Sequence, residues 1–291
     1  MKHLNYILIL LLLLTIFAID IHFSSSYEEY SMYNSNWNGT SLFVNDAVSK
    51  GAVLTEDYSI LSGVTNSTLI LIQPDGDFSP DELRALRDYK NRGNQIFISD
   101  EAGQSKDLLK ILGTDLSVEK ASLLSVDLEY NNPGFIISYS SGDDNISYEI
   151  KNIALNKPSV AQGGKSVIST SFISWIDENK NEKADISESI GKRAVLVKSN
   201  NVYLLSDSGI FQNALYKDEN LKDNRKFISN LLENRGTVYL DGIHSKIASE
   251  DGVLKYLNIL RKNEMLKAVS IIIIILLLLF ICGVRDDRER V

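Results

Sequence analysis

The stretch from Leu69 to Gly113 limits what this chain can fold into more than any other part of it. Leu69-Ile70-Leu71-Ile72 is an unbroken apolar run of strand length, and Ile96-Phe97-Ile98-Ser99 is another. Between them stands Ser79-Pro80-Asp81-Glu82, a capping serine, a proline at the first helical position and a glutamate at the third. Leu83 and Leu86 carry that helix to Arg92, where Gly93 ends it; Lys106–Leu112, closed by Gly113, is a second helix. Strands apolar on both faces belong in a sheet covered on both sides, which is the habit of parallel sheets. Alternating strand and helix then implies crossover connections and an α/β fold. Thr40 or Ser41 caps a further helix over Leu42–Lys50, and Asp57–Gly63 reads as a short helix. The expectation is three parallel strands at 52–54, 69–72 and 96–99.

Residues 115–192 break this alternation. They carry β signals instead: Phe135–Ser140, a turn at Ser141-Gly142-Asp143-Asp144, Ile146–Ile150 and Val167–Phe172. The reading is a β-rich section inserted into the α/β domain. Alternation resumes with Ala194–Lys198, a hairpin turn at Asn200-Asn201, Val202–Ser206, a helix near Asn220–Glu233 and a strand at Thr237–Leu240.

The chain ends are apolar. Residues 4–23 and 265–284 each have the length of a membrane span, and Ala268–Val284 contains no charge. Lys2 before the first run, Asp20 after it, and Arg285, Arg288 and Arg290 after the second favour both termini on the cytoplasmic side. Ser24-Ser25-Ser26 offers the alternative of a cleaved signal peptide. The expected organisation is a span at 4–23, an extended lead-in at 24–40, and an extracytoplasmic α/β domain at 41–245. A juxtamembrane helix at 246–264, a second span at 265–284 and a cytoplasmic tail at 285–291 complete it. The lipid bilayer is thus an expected partner. The formal net charge of −8 argues against nucleic acid, which needs a basic surface.

Several residue groups bear on chemistry. Asp75, Asp100, Glu101, Asp207, Ser208, Asp241 and His244 all follow predicted strands, and strand C-terminal ends are where open α/β sheets bind ligands. Ser208, Asp241 and His244 could form a hydrolase relay, although Asp207-Ser208-Gly209 is not the Gly-x-Ser-x-Gly elbow. The loop residues also suit turns and caps. Asp177, Asn179, Asn181, Asp185 and Glu188 occupy positions one, three, five, nine and twelve of a calcium loop, with the Lys183 carbonyl at seven. Position six, where such loops have glycine, is Glu182. A weak Ca²⁺ site or a charged surface loop are the two readings; no other cofactor is expected. Asn38, Asn66 and Asn145 head glycosylation sequons.

Six strings in order carry a resemblance: Trp37-Asn38-Gly39-Thr40-Ser41, Phe78-Ser79-Pro80-Asp81-Glu82-Leu83, Leu108-Leu109-Lys110-Ile111-Leu112-Gly113, Leu205-Ser206-Asp207-Ser208-Gly209-Ile210-Phe211-Gln212-Asn213, Asp223-Asn224-Arg225-Lys226-Phe227 and Asp241-Gly242-Ile243-His244. Together they resemble domain-of-unknown-function family 4350 in its archaeal form, over roughly residues 37–245. Two departures stand out, Gly242 where many relatives have Glu, and Ser105-Lys106-Asp107 where relatives have Gly-Asn before the Leu-Leu pair. The resemblance implies a flavodoxin-like fold, close to class I glutamine amidotransferases, with a parallel sheet held between two membrane helices. It also implies MoxR-type ATPases and von Willebrand-like proteins as partners. An amidotransferase needs a cysteine nucleophile; the single cysteine, Cys282, lies in the C-terminal apolar run, so that activity is excluded. The function expected is a membrane-anchored extracytoplasmic domain that binds, senses or scaffolds, among membrane or envelope proteins, without catalysis. A hydrolase and a glycosylated calcium-binding envelope protein are the alternatives.

Overall fold

The computed structural model describes residues 26–75 and 77–249, together with Leu13, Thr15, 265–266 and 268–276. The chain divides into two units, Tyr27–Ser249 in one, and Met1–Ser26 with Glu250–Val291 in the other.

In the larger unit the apolar runs become strands as their pattern predicts. Helix α1 (Ser41–Ser49) precedes β1 (Val53–Thr55), and β2 (Ser67–Ile72) is buried at every residue. Helix α2 (Pro80–Asn91) follows, with its capping box formed: Ser79 Oγ accepts from the Glu82 N–H, and Glu82 accepts from the Ser79 N–H. Next come β3 (Gln95–Ser99) and α3 (Lys106–Ile111). Then β4 (Ser117–Glu119), β5 (Leu123–Ser125), β6 (Phe135–Ser140), β7 (Asn152–Asn156), β8 (Val160–Gln162), β9 (Lys165–Thr170) and β10 (Ser174–Ile176) run on without an intervening α-helix. The last elements are β11 (Ala194–Ser199), β12 (Val202–Leu205), α4 (Asn213–Tyr216), α5 (Asn224–Glu233) and β13 (Thr237–Asp241).

Nine strands make one sheet in the order β1-β13-β2-β3-β12-β11-β9-β6-β7. From β1 to β12 every neighbouring pair is parallel. At Asn200-Asn201 the chain reverses, with Asn200 at φ 53, and β11 pairs antiparallel with β12. From there β9, β6 and β7 add antiparallel. The expected parallel sheet with a separate β-rich insertion is therefore corrected. The fold is a mixed sheet, and three of the seven strands of residues 115–192, β6, β7 and β9, extend it. The physical reason is the hairpin: it leaves the outer ladder of β11 open, and β9 closes it. Only β5–β10 and β4–β8 stand apart, as two-stranded ribbons. β1 lies beside β13, which separates it from β2.

Alternate residues of the parallel strands enter different cores. Ile70, Ile72, Phe97, Tyr203 and Leu240 share one core with Phe43 of α1, Tyr216 of α4 and Phe227 of α5. Leu69, Leu71, Ile96, Ile98 and Leu204 share the other with Leu86 and Tyr89 of α2 and Leu108 of α3. Each such side chain contributes about 1.5–3 kcal/mol by leaving water. The helix after β3 thus lies on one face, and those after β12 lie on the other.

The outermost strand, β7, is closed by side chains. Asp223 Oδ2 accepts from the Lys151 and Asn152 N–H groups, at 2.8 and 3.2 Å. Asn224 acts as a strand residue would: its Oδ1 accepts from the Ala154 N–H at 2.8 Å and its Nδ2 donates to the Ala154 carbonyl at 2.9 Å. Asp207 Oδ2 accepts from the Asn156 N–H at 2.7 Å. An open edge is a template for aggregation, and this one is capped.

The two expected membrane spans are corrected. Among the described residues no helix is long and apolar enough to cross a membrane. The rest of both expected spans, most of the 246–264 helix and the 285–291 tail lie outside the described residues. The two-pass location with both termini cytoplasmic is accordingly not supported.

Because Asn224 satisfies both groups of a buried peptide, Asn224→Ala should destabilise the domain by roughly 2–3 kcal/mol, read as a lower urea midpoint. The variant should also aggregate more readily at the exposed β7 edge.

Candidate functional site

The C-terminal ends of β13, β2, β3 and β12 bring the expected loop residues to one edge of the sheet. Asp100 and Asp241 there close their own turns. Asp100 is fully buried; its Oδ1 accepts from the Ala102 and Gly103 N–H groups, and its Oδ2 from the Ser105 N–H and hydroxyl. Asp241 is also fully buried. Its Oδ1 accepts from the Tyr58 hydroxyl at 2.8 Å, and its Oδ2 from the His244 and Ser245 N–H groups and the Ser245 hydroxyl. These are turn-closing bonds of the kind short Asp side chains favour. Gly242 fits the same tight turn, since a Cβ there would stand 2.8 Å from the Thr55 carbonyl oxygen.

The three residues of the hydrolase reading are all present at this edge and make no relay. Ser208 Oγ donates to Gln73 Oε1 and to Ser99 Oγ, both at 3.1 Å. The His244 ring stacks on Phe78 at 3.8 Å between centroids and faces Tyr58 at 6.2 Å. Its Nε2 lies 3.3 Å from Glu82 Oε2 without hydrogen-bond geometry. Asp241 meets the backbone of His244, not its ring. Asp75 is exposed, and its N–H donates to the His244 carbonyl at 2.7 Å. A shallow depression of about 260 Å³ lies between Asp75 and residues 242–249.

Sequence reasoning missed the residues that surround Ser208. Gln73 sits in the left-handed region at φ 45 and accepts from the Glu101 N–H as well as from Ser208. Tyr30, also left-handed at φ 64, donates its hydroxyl to Glu101 Oε1 at 3.0 Å. Gln212 Nε2 donates to Glu29 Oε1 at 2.9 Å. Asn213 holds the lead-in: its Nδ2 donates to the carbonyls of Asn34 and Asn36, and its Oδ1 accepts from the Leu42 N–H. Gly39 lies so close to Asn34 that a Cβ would stand 1.9 Å from the Asn34 carbonyl oxygen. The signal was in the quoted strings, which contain Gly39, Gln212 and Asn213; Gln73, Glu29 and Tyr30 had none.

Electrostatically this edge is acidic. Burial, and then the neighbouring Glu101, push the fully buried Asp207 carboxyl up to about 8, against the Asn156 and Gly209 N–H groups. Burial likewise raises Glu101, opposed by the Tyr30 hydroxyl and the Ser208 N–H.

The 177–188 loop is a separate site. Asp177 is buried, and its two oxygens accept from the Asn181 and Glu182 N–H groups, both at 3.1 Å. Asn179 Oδ1 accepts from the Asn181 N–H, and Asn181 Oδ1 from the Lys183 N–H. Asp185 Oδ2 accepts from the amides of Asn179 and Asn181, which hold its carboxyl below the usual range. Buried Glu188 closes the loop onto the N–H groups of Glu178 and Asp185. Glu182 adopts φ 59, the conformation for which calcium loops use glycine. Among the described residues, however, no three His, Cys, Asp or Glu side chains converge as a ready metal cluster. Of the sequons, Asn66 and Asn145 are exposed; Asn38 is half-buried, its Oδ1 accepting from Asn34 Nδ2.

Fold and edge together define an α/β domain whose strand-end loops are closed by their own polar side chains. The chain belongs to the DUF4350 family, described as a domain of unknown function, whose family model matches residues 32–232. No curated protein matches it in sequence. Among solved structures it is similar to the mmIFT52 N-terminal domain, at 15% identity and a TM-score of 0.49, over 66% of this chain and 88% of that one. It is also similar to alpha-L-fucosidase isoenzyme 2 from Paenibacillus thiaminolyticus, at 13% identity and a TM-score of 0.30, over 57% of this chain and 24% of the enzyme. At these TM-scores neither likeness bears on fold or function.

Asp207 makes stability depend on pH with a definite sign. Its folded form holds the proton to about pH 8, whereas the unfolded carboxyl loses it near ~4. The protonated group therefore contributes fully below the unfolded value and progressively less as pH rises through the folded one. The melting temperature should fall between about pH 5 and 8, and Asp207→Asn should flatten that slope, measured by thermal denaturation in a pH series.

Proposed function

We propose that residues 27–249 form a non-catalytic domain that recognises or scaffolds other proteins. The observation that supports this reading is the missing relay: Ser208 is bonded to Gln73 and Ser99, and Asp241 to Tyr58 and the backbone of its own turn. A serine nucleophile needs a base within hydrogen-bond reach, and the base needs its own orienting partner. Family resemblance directs the search for partners to MoxR-type ATPases and von Willebrand-like proteins. A fluorophosphonate probe should leave Ser208 unlabelled in the folded protein. Labelling that disappears in His244→Ala would replace this reading with a hydrolase. Crosslinked recovery of the full chain should capture a protein partner.

A second reading, favoured by the left-handed Glu182 and the inward oxygens of Asp177, is that the 177–188 loop takes Ca²⁺ weakly, in the ~10⁻⁴–10⁻³ M range of extracellular modules. The ion would displace the Asn179 and Asn181 amides from Asp185, and Asp177, Asn179, Asn181, the Lys183 carbonyl, Asp185 and Glu188 would ligate it. Calorimetric titration at millimolar calcium should give heat that Glu182→Gly increases and Asp177→Ala removes. No heat, with no calcium-dependent rise in melting temperature, leaves a hydrogen-bonded surface loop.

A further inference from the structure

Away from the strand-end edge, the β5–β10 ribbon presents apolar surface to solvent. Ser174 pairs with Ser125 and Trp175 with Leu124, antiparallel. Residues 189–191 add along the other side of β10: Trp175 bridges Ile190, and the Gly191 N–H donates to the Ser174 carbonyl at 2.8 Å. At the turn end of the ribbon the Val126 N–H donates to the Ile173 carbonyl at 3.4 Å. Side chains alternate between the faces of such a ribbon. Leu123 and Ile176 pack into the main core. Leu124, Val126, Ile173, Trp175 and Ile190 therefore share the opposite face.

That face is covered at one end only. Leu124 and Trp175 are buried, whereas Val126, Ile173 and Ile190 are 52–58% exposed, and Phe172, at the β9–β10 turn, is 77% exposed. Large apolar side chains exposed together in this number make a patch on the order of 300–600 Å², the size that marks an interaction site on a monomer. A standard interface takes about 800 Å² from each partner, and in homodimers about 65% of it is apolar. The patch matches that apolar share. Polar groups for the remainder stand around it. Asp127, on the β5 side, accepts from the Tyr139 hydroxyl. Lys192, on the 189–191 side, is exposed and lines a groove of about 350 Å³ with Tyr139, Ser166 and Ser169.

One charge of each sign thus flanks the patch on opposite sides. A twofold axis parallel to the ribbon strands lays the β5 side of one copy over the 189–191 side of the other. The same rotation sets each Asp127 against Lys192 of the partner subunit. Such a surface is complementary to itself, which an isologous contact requires; a rim of one sign would repel its own copy. We propose that Val126, Phe172, Ile173 and Ile190 are the centre of a twofold interface with a second copy of this chain, bordered by paired Asp127 and Lys192.

Crosslinking and sedimentation of the full chain test this. Ile173 lies on the central strand, nearest the axis. In a Cys282→Ser background, Ile173→Cys should give a disulfide-linked dimer under mild oxidation. Ile60→Cys, at a similarly exposed residue beside α2, should not. Ile173→Asp should weaken self-association about thirtyfold or more at an unchanged melting temperature, since the residue it replaces is exposed. Asp127→Lys and Lys192→Asp should each weaken it about tenfold, and the double variant should recover most of the loss. A monomeric wild-type chain, a dimer that Ile173→Asp leaves intact, equal crosslinking at Ile60 and Ile173, or a double variant without recovery overturns the proposal.

Discussion

The arrangement of this domain depends on one requirement: backbone groups at the ends and edge of a buried sheet must find partners, because leaving one unmet costs about 1–3 kcal/mol. Nine strands meet it internally along their ladders. Beyond the ladders, side chains meet it. Asp100 closes the turn after β3, Asp241 the turn after β13, and Asp207 and Asn224 the free side of β7. Asn213 does the same for the lead-in, which carries no secondary structure of its own to satisfy its carbonyls.

This requirement also decides which chemistry the strand-end loops can perform. Short acidic and amide side chains gathered at a sheet edge look alike whether they hold a substrate or a turn. Here the oxygens of Asp100 and Asp241 are taken by N–H groups a few residues away, and those of Asp207 and Glu101 by Asn156 and Tyr30 from other elements. The 177–188 loop obeys the same local rules, its oxygens accepting from its own N–H and amide groups, with the left-handed Glu182 where a calcium loop has glycine. Identical Asx bonding thus yields a closed edge in one place and a candidate cation cradle in another.

Asp207 shows how one side chain can carry two consequences. It closes β7 through Asn156, and the charge of Glu101 adds to its burial in raising its carboxyl. The structural task is indifferent to protonation, since a neutral carboxyl still accepts an N–H. The electrostatic consequence is not, because the ionised form is opposed by burial and by Glu101.

Local rules made much of the fold legible. The Ser79 capping box, the apolar runs at β2 and β3 and the Asn200-Asn201 turn each follow from contacts within a few residues, and each is formed as read. The family strings likewise marked Gln212, Asn213 and Asn224 without revealing what they do. What stayed hidden depends on contacts between distant residues: that β13 enters between β1 and β2, that β6, β7 and β9 extend the main sheet, and that Asn224 pairs with Ala154. A strand's neighbours are chosen by ladder pairing and two-sided burial across the whole chain, and no short window contains that choice. The amino-acid sequence by itself determined the strands and helices from 41 to 112 and most of those from 194 to 241, and which polar residues stand at strand ends, whereas Ile146–Ile150, read as β, begins in a 3₁₀ turn at Asn145–Ser147. Only the tertiary structure decided that those polar residues face their own backbone, because that depends on which strand ends are brought side by side.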